Sequence, residues 1–168
     1  MRSNFVPAEG TQSDRQDGGE SPAVQYNFHA HRITGGICAD DRYWEALEEG
    51  IFELPRCADC RRWIWPAHFR CGQCGCWQVL WEPVDPVGTV YAWTRCWYTF
   101  DRTTERTPDV PYVVVLAEIP AAEGARVVGV LRGPEKQLGI GAAVRGHIDA
   151  PSAKTKGSAA IRWELTAK

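Results

Sequence analysis

Cys57, Cys60, Cys71 and Cys74 stand at C-x2-C-x10-C-x2-C spacing, and no other feature restricts the fold of this chain as much. A C-x-x-C pair turns the backbone through a tight knuckle that aims two thiolates at one point. Two such knuckles ten residues apart close a tetrahedral S4 site. A site of this kind has no open coordination position, so it builds structure and does not catalyse. Ligand softness puts zinc ahead of iron as the ion; the alternative is four free or disulfide-bonded cysteines. The second knuckle, Cys71-Gly72-Gln73-Cys74-Gly75, carries glycines where the backbone must turn and present its amides to sulfur.

Composition bounds the rest. A chain of 168 residues with 44% hydrophobic content can hold one ordinary domain, or a small ribbon plus a compact domain, with a real core. Seven cysteines, four of them at metal spacing, fit a reducing compartment better than a secreted disulfide scaffold. There is no N-terminal apolar run like a signal peptide and no apolar stretch long enough to cross a bilayer. The expectation is a soluble cytoplasmic protein with no membrane partner. A net charge of −2 argues against an electrostatic grip on nucleic acid. The charge is uneven: residues 1–54 carry ten acids against four arginines, whereas residues 55–82 carry Arg56, Arg61, Arg62 and Arg70 against Asp59 and Glu82.

Four segments are expected. Residues 1–24, rich in Gly, Ser, Gln, Asp and Glu, read as a flexible acidic tail. Residues 25–54 form a helical segment: its first part, with His29 and His31, is ambiguous between a solvated loop and a metal site, the loop preferred. Then Asp40 to Gly50 reads as a short helix, capped by Asp40 or Asp41 and ended by Gly50. Tyr43, Trp44 and Leu47 share its apolar face, while Glu45, Glu48 and Glu49 make the other face acidic. Residues 55–82 are the zinc ribbon. Residues 83–168 change to a period of two, with strand-like runs near 87–100, 112–119, 126–132, 142–149 and 158–165. Five antiparallel strands with a long first one point to an OB-type Greek-key barrel. Gly88, Gly129 and Gly146 are candidate bulges or corners. The fold class is therefore mainly β.

The first of those strands does not alternate. Val90, Ala92, Thr94, Cys96 and Tyr98 lie on one face and Tyr91, Trp93, Arg95 and Trp97 on the other, and neither is polar as a solvated barrel face should be. Six of the eight tryptophans fall between residues 63 and 97. Either ribbon and barrel bury them against each other, or part of this surface is an interface. Trp63, Trp65, Tyr91, Trp93 and Trp97 are the candidate partner-binding residues, since Trp, Tyr and Arg dominate protein–protein hot spots. Aromatics of this kind are also stacking platforms for single strands.

The order of motifs resembles the domain-of-unknown-function-35 family. The Tyr-Trp-Glu-Ala-Leu helix runs into Gly50-Ile51-Phe52-Glu53-Leu54-Pro55-Arg56-Cys57. After the two knuckles come Val87-Gly88-Thr89-Val90-Tyr91, Pro111-Tyr112-Val113-Val114-Val115 and Leu138-Gly139-Ile140-Gly141-Ala142-Ala143-Val144. The resemblance spans residues 40–165 and implies an N-terminal helical segment, a rubredoxin-like zinc ribbon and an acyl-CoA-associated OB-fold. It further implies an accessory subunit of a thiolase-fold enzyme, an aldolase or acyltransferase homodimer. One branch pairs with sterol-carrier-protein-X-like aldolases in steroid side-chain degradation. A heterotetramer, with the acyl-CoA bound mainly by the partner, is the expected assembly.

The residues themselves offer no catalytic constellation: no Gly-x-Ser-x-Gly elbow, no phosphate-binding glycine loop and no His-Glu-x-x-His. Cys96 reads as a core thiol, Cys76 as a weak competitor for the metal, Cys38 as outside the set, His68 as off the ligand spacing and His147 as exposed. The leading function is thus a non-catalytic subunit that supports carbon–carbon bond cleavage of an acyl-CoA. The alternatives are a single-stranded nucleic-acid-binding ribbon and barrel, and a self-sufficient enzyme or iron-bearing electron carrier.

Overall fold

The computed structural model describes residues 39–99 and 101–166. The expected tail, His29, His31 and Cys38 lie outside the described residues. In chain order the elements are α1 (Asp41–Glu48), β1 (Glu53–Cys57), β2 (Val79–Pro83), β3 (Val87–Cys96), a 3-10 segment at Asp101–Asp109, β4 (Tyr112–Ile119), β5 (Ala125–Arg132), β6 (Ala143–Asp149) and β7 (Ala160–Leu165). Strands β1 and β2 make a two-stranded antiparallel sheet, and β3–β7 close a five-stranded barrel in the order β3-β4-β5-β7-β6. One pair, β5 with β7, is parallel. Among the described residues the chain is mainly strands with one short α-helix, as the sequence predicts.

Helix α1 ends where Gly50 takes a φ of 78°. The Gly50 amide donates to the Leu47 carbonyl and the Ile51 amide to the Ala46 carbonyl, the paired bonds of a Schellman stop. At the other end Asp40, one of the two expected caps, takes a different partner. The Asp40 carboxylate makes no capping bond and instead accepts from the Trp44 indole N–H at 3.1 Å.

The buried face of α1 is Tyr43, Ala46 and Leu47, and it joins the two sheets. The Tyr43 ring lies 4.8 Å from Trp65 of the ribbon and 6.2 Å from Phe52, and Phe52 meets Trp163 of β7 edge-on at 6.4 Å. One continuous core therefore runs from the helix through β1 into the barrel, where Val90, Val113, Val115, Ala117, Ile119, Val127, Val144 and Ile161 complete it. Arg42 fixes the helix to β1 from outside, donating to both carboxylate oxygens of the buried Glu53 at 3.0 and 3.1 Å and also to Glu49. Arg42→Met leaves the Glu53 carboxylate without these bonds and should lower the melting temperature more than Glu49→Gln, which keeps them. Parallel thermal melts of the two variants check this.

Strand β3 is shorter than its sequence run, ending at Cys96 rather than near residue 100. Its pairing with β4 shifts register between Val90 and Ala92, so Tyr91 is an extra residue. Such a bulge resets which side chains face inward. After it, Trp93 lies opposite the buried Val115 and Arg95 opposite the buried Val113. The absence of a clean alternation in the sequence has this cause.

The three barrel glycines serve close approach rather than that bulge. A Cβ on Gly88 would sit 2.2 Å from the Glu118 carbonyl oxygen. Gly129 and Gly146 flank the fully buried Trp163 indole, where a Cβ would come within 2.8 and 3.0 Å of the ring.

Candidate metal centre and aromatic surfaces

The Sγ atoms of Cys57, Cys60, Cys71 and Cys74 all lie within 4.8 Å of one another. The Cys57–Cys74 and Cys60–Cys71 pairs are 3.5 and 3.6 Å apart. A zinc ion with sulfur ligands at about 2.3 Å needs sulfurs about 3.8 Å apart, so the four fit a structural zinc. The ladder of β1 and β2 delivers Cys57 at its end, opposite Val79. Each knuckle turns on a left-handed residue directly after its second cysteine: Arg61 at φ 61° and Gly75 at φ 79°. Gly75 adopts this without penalty, while Arg61 carries a Cβ there. The Gln73 amide points at the Cys71 sulfur, 3.4 Å away.

The electrostatics of the protein alone show why four sulfurs need a cation. Burial pushes the Cys57 thiol up, but the Cys60 and Asp59 amides outweigh it and hold the thiol below its ordinary value. Amides of Cys74 and Gln73 do the same for Cys71. For Cys60 the Arg62 amide favours the thiolate, yet burial and the neighbouring sulfurs prevail and push it up. Like charges crowded together cannot all ionise unless a metal compensates them.

Around this centre Arg56 and Arg61 both bind Glu82. Burial works against the Glu82 charge, but the two guanidiniums hold its carboxyl below the usual range. Cys76 stands outside the quartet, its sulfur accepting from the Gln78 amide at 3.3 Å. His68 is exposed and also outside it. Cys96 is half-buried rather than a core thiol, because it lies opposite Tyr112 on the outward side of the β3–β4 pair. His147 is partly exposed and bonds Glu164 at 2.9 Å.

The five candidate partner-binding aromatics separate into two groups. Trp63 and Trp65 are half-buried and pack against the main core. They line a cleft of about 330 Å³ together with Arg62 and the Ala122–Ala125 turn, and Arg56 lies 5.0 Å over the Trp63 ring. Tyr91, Trp93 and Trp97 are 44%, 42% and 62% exposed, although Trp93 lies on the face of β3 that carries the buried Val115 across the pair. Arg95 lies between the two tryptophans, 6.0 Å from the Trp93 ring and 5.6 Å from Trp97, and pairs with Glu135. Arg126 stacks on Tyr91 at 3.5 Å while binding Glu118. Phe69 and Trp77 of the ribbon are exposed as well, with Arg70 over Trp77. Neither stands out in the sequence pattern, although their place between and just beyond the knuckles was the available signal.

Residues 44–75 match the family model of the ChsH2 rubredoxin-like zinc ribbon domain, a span that runs from α1 through β1 and both knuckles. No curated protein sequence matches the chain. Among solved structures, a chain of the Ltp2-ChsH2(DUF35) aldolase is similar at 23% identity with a TM-score of 0.63, covering 79% of this chain and 97% of that one. A DUF35-family protein of unknown function from Sulfolobus solfataricus is similar at 17% identity and a TM-score of 0.53, covering 83% and 93%. The chain thus carries the ChsH2-type zinc ribbon and shares its fold with DUF35 proteins.

Proposed function

We propose that this chain is a non-catalytic accessory subunit of a thiolase-fold aldolase that cleaves a carbon–carbon bond in an acyl-CoA, with a steroid side chain as the acyl group. The observation that carries the reading is the correspondence over nearly the full length of a chain of the Ltp2-ChsH2(DUF35) aldolase. The closed S4 centre supports it, since Cys57, Cys60, Cys71 and Cys74 would hold a zinc that orders the ribbon and offers no position to substrate. The partner would be a homodimer carrying one accessory chain per subunit and most of the acyl-CoA contacts, in the cytoplasm. Ribbon and barrel would keep the boundaries 55–82 and 83–168.

The single-stranded nucleic-acid alternative meets an electrostatic obstacle. Every arginine on the barrel strands, namely Arg95, Arg126, Arg132, Arg145 and Arg162, is paired with an acid. No cationic track is left along the barrel strands for a phosphate backbone.

The test is co-expression with the untagged products of neighbouring genes, among which a thiolase-fold aldolase is the expected partner. The two should co-purify, and the complex should cleave acyl-CoA while the isolated chain turns over none. Robust lyase or thioesterase activity from the pure chain, abolished by one substitution outside the zinc quartet, would overturn the reading. Within the complex, Trp93→Ala should weaken binding about thirtyfold, the equivalent of about 2 kcal/mol, with an unchanged melting curve. Trp65→Ala should instead lower the melting temperature, because its ring packs on Tyr43. Titration calorimetry and thermal melts on the same samples separate the two effects.

A further inference from the structure

Strand β3 is paired unequally on its two sides. Against β4 the ladder runs to Cys96 opposite Tyr112. Against β6 it ends at Thr89 opposite Ala143, followed only by the bonds of Val90 with Ala142 and Gly141. Beyond that point, among the described residues, no strand pairs with the second side of Ala92–Cys96. Along these five residues the backbone donors and acceptors that point away from β4 form a sheet edge. Natural sheets blunt such an edge with Lys, Pro or a covering segment. Here the edge reads Ala-Trp-Thr-Arg-Cys, and its one charge is taken by Glu135.

We propose that this edge receives an extended segment of the partner aldolase, which adds to β3 as a further strand. The inference rests on the accessory-subunit reading above and names where and how that partner engages. An unpaired ladder selects for a polypeptide backbone over any other ligand, because only a strand offers alternating amides and carbonyls at the matching repeat. The side chains on the two faces of the edge define what the segment carries. On the outward face Ala92 and Thr94 are small, and they continue apolar rows: Ala92 lies beside Leu116, which lies beside Val128, and Thr94 beside Val114, which lies beside Val130. Val128 is 59% exposed, so bulky apolar side chains of the incoming strand would extend a surface that is already there. On the other face Trp93 and the Arg95–Glu135 pair leave room only for smaller side chains.

A five-residue edge is about 17 Å long, too short to hold a self-dimer of the size stable interfaces need. It suffices for a tail or loop that the main interface keeps at high local concentration, which favours the aldolase over a second copy of this chain.

Hydrogen–deuterium exchange at residue resolution, on the isolated chain and on its complex with the aldolase, tests this. Alternate amides within Ala92–Cys96 should slow at least tenfold in the complex and exchange fast in the isolated chain at every concentration. A complex that forms with no slowing in this segment overturns the strand addition and leaves the accessory reading standing. Slowing that grows with concentration of the isolated chain assigns the edge to a second copy and overturns the choice of partner. Failure of any complex to form removes the accessory reading and this inference with it.

Discussion

Cys71→Ser should release the metal and unfold the ribbon. The Cys71 sulfur is buried and lies 3.6 Å from that of Cys60, so a serine oxygen at that point cannot complete a tetrahedral thiolate shell. Structural zinc contributes about 10–16 kcal/mol of apparent binding energy in small zinc-finger peptides, as much as the whole stability of an ordinary domain. Elemental analysis should find about one zinc per wild-type chain and almost none in the variant, with loss of ordered signal around Trp63 and Ile64. A folded wild-type chain holding under about half an equivalent would contradict the assignment. Acid should act in the same direction as the mutation. The cysteine thiols must lose their protons to bind metal, so affinity falls as pH falls. Glu82, whose folded pKa is depressed, adds stability that is present above the ordinary carboxylate range and disappears as pH drops through its folded value. Metal release followed by chelator fluorescence should therefore rise steeply on acidification and not on alkalinisation.

Trp163→Ala should cost about 3–5 kcal/mol, the range for emptying a large aromatic site in a packed core. The residue is fully buried at the centre of the barrel and edge-on to Phe52, so its removal opens a cavity that touches both the barrel and the β1 end of the ribbon. Trp163→Phe should cost much less. Its ring still fills most of the site, and the substitution removes an indole N–H that is buried without a hydrogen-bond partner. Excess volume should also fail: Gly129→Val brings a side chain against the Ile161 carbonyl and the Trp163 ring, both 2.8 Å from the new Cβ, and should cost about 1–3 kcal/mol. Urea denaturation of the three variants gives the ranking, and a Trp163→Ala chain as stable as wild type would contradict the packing described.

The features legible in the sequence were those written in short-range repeats. The cysteine spacing specified the ribbon, Gly50 specified the end of α1, and strand-like apolar runs, with clear alternation in the last two, located β4 to β7 within a residue or two at each end. What could not be read depended on contacts between distant residues. The bulge at Tyr91 is a single inserted position that only the register against β4 reveals. Without it, Trp93 and Arg95 seem to belong with Tyr91 on one uniform face. Trp63 and Trp65 resembled the exposed aromatics because their covers, Tyr43 and the Ala122–Ala125 turn, lie far away along the chain. The parallel β5–β7 pair, which closes the barrel, left no trace in a hydrophobic pattern.

The aromatic contacts that pass from Trp65 through Tyr43 and Phe52 to Trp163 make the two sheets thermodynamic dependants of one another. A chain built as a ribbon loosely tied to a barrel would melt in two steps, and only the first would respond to zinc. With a shared core, the free energy of ion binding is transmitted to the barrel, and a strained barrel in turn loosens the hold on the ion. Zinc supply would then set the lifetime of the whole chain, barrel included.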